Sequence, residues 1–382
     1  MKNKIDNRYE SLVPPALANL EVYQAGRSIE EVALERGLKR VIKLASNENP
    51  LGPSPAAIKE MTHALWDVHR YPDMYSKKLR EALAELYNLK THNIILGNGS
   101  EGIMADICRT FVQTGDEILS SEKTFIGFFI LAKGAGAKLV CAPLNQDFRI
   151  DVEAMVDKIT PKTKIIYIAN PNNPTGNYMT KTEFDFLMKS VPERCLVILD
   201  EAYFEFAHGQ GDYPDSMDYR YDNVITLRTF SKAYGLSGIR IGYGFGHDQL
   251  ISYVYKAKLP FAPSSIAQAG GYGALKDRYH LSHTLINNRE RMRELTIFLE
   301  SRGFRYLKSV ANFVTFDAKS LEGATYLFEQ LLNMGVIIRP LAANDMPQFL
   351  RVSLGTYDEM NLFYEAFEHV LPGFNQIFNK KK

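Results

Sequence analysis

Between residues 93 and 245 the chain alternates short β-rich runs with helix-like stretches, and this alternation constrains the fold more than any other feature. The runs are NIIL (93–96), EIL (117–119), KLVCAP (138–143), KIIYIA (164–169), LVILD (196–200) and NVITL (223–227). Strands separated by helix-length segments pair in parallel, and the helices cover the sheet. Several runs show no polar alternation, as strands buried on both faces should. The expectation is an α/β chain built on a large, mainly parallel sheet.

After about residue 265 the pattern changes. An amphipathic stretch from His280 to Arg302 is closed by Gly303, and is followed by NFVTF (312–316), a helix-like segment (322–334) and strands around VIIRP and FLRVSL. This reads as a smaller α/β domain. The N-terminal segment, rich in helix formers around SIEEVALERG, is its expected partner. A length of 382 residues suits two or three domains. The expected division is 46–265 as the large domain, and 1–45 with 266–382 as a small domain carrying an N-terminal arm.

Lys+Arg number 45 and Asp+Glu 44, so the net charge of +1 gives no reason to expect nucleic acid or an anionic membrane as partner. The opening MKNKIDNRYESLVPP has no apolar core of signal-peptide length, and no apolar run approaches the roughly 18 residues of a membrane span. A cytoplasmic location is expected. Cys108, Cys141 and Cys195 are odd in number and widely spaced, which suggests buried thiols rather than disulfides or a zinc site. No metal is expected.

In open parallel sheets, ligands sit beyond the carboxyl ends of the strands, and four segments bring glycines or polar residues there. NIILGNGSEGIM runs a strand into Gly97, Gly99, Ser100 and Glu101 and then a helix, exposing N–H groups beside the positive end of the helix dipole. An ordinary strand-to-helix turn is the plainer alternative. ANPNNPTG (169–176) holds Asn172 and Asn173 in a proline-stiffened loop, or is simply a tight turn. LVILDEAYFEF places Asp200 and Glu201 at the end of an apolar run, where a carboxylate is costly unless it meets a cation or a metal. TLRTFSKAYGLSGIRIGY surrounds Lys232 with small residues that leave room for a bulky ligand.

Taken together, in this order and over about 150 residues, these segments resemble the class I/II aminotransferases. Those are pyridoxal-phosphate enzymes of fold type I. LASNENPLGPSP (44–55), RYPD (70–73) and RVSLGT (351–356) extend the likeness across nearly the whole chain. The resemblance implies a pyridoxal 5'-phosphate cofactor carried as a Schiff base on Lys232, which would also move protons. It implies that Asp200 faces the pyridine nitrogen and that Tyr203 and Asn173 hydrogen-bond the ring oxygen. Gly99, Ser100, Thr229, Ser231 and Arg240 would contact the phosphate, with Arg240 as a forked cation, and Glu101 would be a further cofactor-binding residue. Phe125 matches the position of a ring stacked on the cofactor, a core phenylalanine being the plainer reading. Tyr71 matches a tyrosine reaching the phosphate in a neighbouring subunit, which implies a homodimer with shared sites, against a surface-turn tyrosine otherwise. The substrates implied are a small-molecule amino donor and a 2-oxo acid.

Within that superfamily, VYQAGRSIEEV (22–32), LASNENPLGPSP, RYPD and GVIIRP bring the chain nearest to the histidinol-phosphate aminotransferases. Tyr23, Asn47, Arg339 and Arg351 would then contact substrate, Arg351 through bidentate pairing with carboxylate. A solvent-facing strand arginine is the competing reading of Arg339. The likeness thins at Ala25, at Ser28 and in LAANDMP (341–347). An aromatic amino-acid aminotransferase, a decarboxylase acting on a phosphorylated amino acid and an oxidase on the same fold are the alternatives. A cofactor-binding transcription regulator would need a basic DNA-binding module that the chain does not carry.

Overall fold

The computed structural model describes residues 7–18, 20 and 26–379. Its strands in chain order are β1 (Ile42–Lys43), β2 (Ile94–Gly97), β3 (Glu117–Ser121), β4 (Lys138–Ala142), β5 (Thr163–Ala169) and β6 (Leu196–Asp200). They continue with β7 (Val224–Thr229), β8 (Gly242–Gly246), β9 (Phe313–Asp317), β10 (Val336–Ile337), β11 (Arg339–Pro340) and β12 (Phe349–Ser353).

All six β-rich runs become strands of one seven-stranded sheet, ordered β2-β8-β7-β6-β5-β3-β4. Neighbours from β4 through β7 pair in parallel. Only β8 opposes its neighbours, running against both β7 and β2. Side chains alternate across the pleat into two separate cores. Ile165, Tyr167 and Ile198 pack with Ile103, Ile107 and Phe128 on one face. Ile166, Ile168, Val197 and Leu199 pack with Leu187 on the other. Helices on both faces explain why these runs carry no polar alternation.

The N-terminal segment does meet the C-terminal part of the chain: Ile42 of β1 pairs in parallel with Val336 of β10. Beside it, β9, β12 and β11 form an antiparallel sheet. Its core joins Phe316, Phe363, Phe367 and Phe374 to Ile42 and Leu44. The helix Ile29–Arg36 starts on a capping box between Ser28 and Glu31. The helix Ser265–Lys276 begins at the expected domain boundary but packs on the helix Pro55–Ala64, with Ala267 and Ala274 in a core shared with Leu79 and Phe230. This helix therefore goes with the large sheet rather than with the C-terminal one. A Cβ at Gly273 would stand 2.5 Å from the Ala56 carbonyl oxygen.

The three cysteines are free thiols. Cys108 and Cys195 are buried, but Cys141 is only half-buried, because β4 is the edge strand of its sheet. Among the described residues no helix is long and apolar enough to cross a membrane. No group of three or more His, Cys, Asp or Glu among them is placed to hold a metal ion.

Candidate active site

The parallel strands β3, β5, β6 and β7 end at Ser121, Ala169, Asp200 and Thr229 on one edge of the sheet. Because β8 is antiparallel, it starts from that same edge, which places Arg240, two residues before Gly242, beside the strand ends. The chain leaving this edge lines a cleft of about 380 Å³. Ser100, Glu101, Phe125, Asn173 and Asp200 line it, as do Tyr203, Thr229, Ser231, Lys232 and Arg240. A smaller cavity of about 200 Å³, bordered by Phe184, Met217 and Tyr219, shares no lining residue with it and gathers none of the predicted residues.

One wall is built for an anion. Gly99, at φ 75°, opens the helix Gly99–Phe111, whose first N–H groups have no partner within the helix. A Cβ at Gly99 would lie 2.6 Å from Arg240 Nη2, and one at Gly242 would lie 2.4 Å from the Ser100 nitrogen. Only bare backbone lets the guanidinium, the turn and β8 meet here. Arg240 Nη1 donates to Ser231 Oγ at 3.3 Å and to the Ser237 carbonyl at 3.1 Å. The Ser231 N–H in turn donates to Thr229 Oγ1 at 3.1 Å. Glu101 stands 3.9 Å from Arg240, a loose and exposed pairing that an anion can displace. Phe125 precedes the helix Ile126–Gly134 and lays its ring over Gly127, where a Cβ would approach Phe125 Cζ to 2.5 Å.

The cleft floor holds Asp200 and Lys232. Asp200 is 5% exposed, and its Oδ2 accepts a hydrogen bond from the Tyr167 hydroxyl at 2.8 Å. Its Oδ1 is buried and has no hydrogen-bond partner among the described residues. Burial outweighs the Tyr167 hydrogen bond and pushes the carboxyl up to about 6. Glu201, the next residue, points the other way and pairs with the fully buried Arg228 at 2.7 Å, which offsets the cost of burying its charge. Lys232 Nζ donates to the Ser46 carbonyl at 3.2 Å. Burial, helped by the neighbouring charge of Arg351, pulls this amine down to about 8.

A network of buried amides ties the cleft to the second sheet. Asn47, at φ 55°, donates through Nδ2 to the Tyr203 hydroxyl at 2.8 Å and is gripped by Ser353 of β12 through its backbone N–H and its Oδ1. Arg351 donates to Asn173 Oδ1 and to the Ala45 carbonyl. Arg339 stands opposite Arg351 on β11. A Cβ on Gly26 would lie 3.4 Å from Arg339 Nη1 and 3.9 Å from Ser46 Oγ, which sets this second arginine near Ser46, although neither Arg339 nor Arg351 is among the residues that line the cleft. In LAANDMP, Asn344 donates to the Thr124 carbonyl, immediately before Phe125.

Tyr71 is not brought to the cleft: it is 81% exposed and stacks on Phe261, with ring centroids 4.6 Å apart. Tyr23 lies outside the described residues. Sequence reasoning missed Ser46, Glu48 and Tyr167. The first two flank Asn47 in a motif already singled out, and their positions in it were the available signal. Tyr167 gave none, because a tyrosine inside KIIYIA reads as core.

Residues 39–367 match the family model described as aminotransferase class I and II. The histidinol-phosphate aminotransferase 1 of Nitrosococcus oceani is 38% identical over 97% of this chain and 99% of its own length. The histidinol-phosphate aminotransferase 2 of Hydrogenovibrio crunogenus is 40% identical over 95% of this chain and 97% of its own. The crystal structure of the Sinorhizobium meliloti histidinol-phosphate aminotransferase in complex with pyridoxal-5'-phosphate superposes with a TM-score of 0.87 at 28% identity. That superposition covers 95% of this chain and 98% of that one. With its sheet order, its cleft and a match spanning most of its length, the chain belongs to the class I and II aminotransferases.

Proposed function

We propose that this chain is a pyridoxal-phosphate-dependent transaminase that moves an amino group between L-histidinol phosphate and 2-oxoglutarate. The residues fit the cofactor on three independent counts. Asp200 Oδ1 is a buried acceptor awaiting a donor, which suits a protonated ring nitrogen. The bare backbone of Gly99, with Ser100, Ser231 and Arg240, forms a cradle for a phosphate. The Lys232 amine, held down at about 8, has a substantial neutral fraction near neutral pH and so serves as a nucleophile.

Bound here, the cofactor supplies an electron-withdrawing ring that makes the α-proton of an attached substrate removable. Lys232 Nζ in its neutral form is the base that accepts this proton. Asp200 would supply the negative charge that keeps the ring nitrogen protonated. Tyr203 lines the cleft with its hydroxyl held by Asn47 Nδ2, and would be the group that meets the ring oxygen. Phe125 supplies a flat apolar wall. Arg351 and Arg339 bind the substrate's anionic group.

The observation that carries the proposal is the convergence of Lys232, the partnerless oxygen of Asp200 and the Arg240 cradle on one cleft, with Arg351 reaching Asn173 of its lining and Arg339 opposite Arg351. A panel of amino donors offered with 2-oxoglutarate, followed by half-reaction spectroscopy, tests it. L-histidinol phosphate is expected to give the highest catalytic efficiency. A higher efficiency with phenylalanine or tyrosine overturns the substrate and makes the enzyme an aromatic aminotransferase.

The proposal includes a cytoplasmic homodimer with shared sites. Tyr71 and Trp66, 81% and 82% exposed, offer an aromatic surface for a second copy. It also keeps a division into a large domain, expected at 46–265, and a small one of 1–45 with 266–382, supported by separate hydrophobic cores on the two sheets. The boundary, however, moves past the helix Ser265–Lys276, whose Ala267 and Ala274 pack with Leu79 and Phe230.

A further inference from the structure

We propose that Tyr167 is a positioning residue for Asp200: its hydroxyl engages Oδ2 from within the core and leaves Oδ1 as the oxygen presented to the cleft. The inference rests on the reading of Asp200 as the partner of a protonated ring nitrogen. In the β5–β6 register Tyr167 lies opposite Ile198, so Asp200, two residues further on, shares its face of the sheet. The diagonal reach closes at 2.8 Å. Tyr167 is fully buried, and its ring stacks on Phe128 with centroids 4.0 Å apart and planes at 13°. Its backbone carbonyl is held by Ser120 Oγ at 2.8 Å. A hydroxyl in such a core is costly unless it is satisfied, and Asp200 is the partner that satisfies it.

This arrangement fixes which way the carboxylate points, which burial alone does not do. The groups that act on Asp200 come from several elements: the Lys232 amine after β7, Glu101 from the helix Gly99–Phe111, and the Ala202 N–H beyond β6. Tyr203 lies in the same cluster, acting on the Tyr167 phenol. Lys232, the Ala202 N–H and Tyr167 favour the ionised carboxyl, while burial and Glu101 oppose it. Burial and Asp200 itself hold the Tyr167 phenol well above its ordinary range, so Tyr167 stays a donor across the working pH. Removing the hydroxyl therefore shifts Asp200 further toward the neutral form.

Tyr167→Phe keeps the stacked ring and removes only the donor. Two readouts on the full-length protein test it. One is the infrared titration of the Asp200 carboxyl without cofactor, identified by its disappearance in Asp200→Asn. The other is the affinity for pyridoxal phosphate against pH. The expected result is a midpoint raised by about one unit, with affinity several-fold weaker at about pH 5.5 and within about twofold at about pH 8.5. In the Asp200→Asn background the same change should leave affinity within about twofold. An unmoved midpoint, or an equal loss of affinity at both pH values, overturns the role of Tyr167. If Tyr167→Phe does not fold, a single fluorinated tyrosine at 167, a stronger donor, should lower the midpoint instead, and an unmoved midpoint again overturns the proposal. If Asp200→Asn itself binds cofactor as the unmodified protein does at every pH, the reading of Asp200 has failed rather than the inference about Tyr167.

Discussion

Arg339 and Arg351 stand directly opposite each other on the antiparallel pair β11–β12, so both side chains leave the same face of the sheet. Like charges so placed repel, and an anion between them relieves the repulsion. Arg351 is 8% exposed and already donates to Asn173 and Ala45, which anchors it against the Asn173 side of the cleft. Arg339 is the more exposed of the two. A phosphate has more charge and more acceptor oxygens than a carboxylate and gains more from the pair. Arg339→Gln should lower the kcat/KM for L-histidinol phosphate by roughly 10- to 100-fold and that for phenylalanine by much less. Equal losses on both substrates count against a phosphate-reading role.

Lys232 should carry the cofactor. Peptide mapping after borohydride reduction of the yellow protein should find the adduct at Lys232, and an adduct at Lys256 or Lys258 refutes the assignment. Lys232→Ala should keep some cofactor binding and lose transamination. Covalent capture of the cofactor should quicken as pH rises and level off above about 8, where the amine is neutral. Stopped-flow absorbance over a pH series measures it.

Replacing Asp200 by Ala should lower turnover by orders of magnitude while the protein stays folded, because the ring nitrogen loses its counter-charge. The carboxyl is raised from 3.8 to about 6, so the stability it contributes is complete below its unfolded value and lost as pH rises through about 6. The cofactor-free variant should consequently melt no lower than the unmodified protein near pH 8. Normal kinetics would count against the assigned role.

Glu205 extends the same logic beyond the cleft. It is 8% exposed, and both its carboxylate oxygens lack a hydrogen-bond partner among the described residues. Burial pushes it from 4.5 to about 7, against the weaker pull of Arg228. Its contribution to stability is complete below 4.5 and fades as pH rises through about 7. Glu201 and Asp200 act in the same direction. The Tm of the cofactor-free protein should therefore fall between about pH 5 and pH 8, and Glu205→Gln should flatten that fall. Calorimetry at a series of pH values decides it; an unchanged slope shows that Glu205 does not titrate there.

Mixing inactive Lys232→Ala with an inactive Tyr71 variant should restore some activity, because a hybrid dimer would hold one site with both residues intact. No recovery in hybrids verified by native mass spectrometry places Tyr71 outside the site of its neighbour.

The sequence by itself determined the six β-rich strands of the large sheet and many of the residues that line the cleft. Unbroken apolar runs such as KIIYIA and LVILD are a local record of burial on both faces, and the residue after such a run must lie at a sheet edge. Asp200, Asn173 and Lys232 were legible for that reason. Tertiary structure alone decided how they are used. The glycine-rich β8 carries no branched residues to announce a strand, yet its reversed direction brings Arg240 to the edge. The pairing of Arg339 with Arg351 depends on register between strands, and no linear spacing encodes it. Tyr167 shows the limit most plainly. The apolar pattern buries its ring wherever the strand goes, but only the neighbouring strand puts a carboxylate within reach of its hydroxyl.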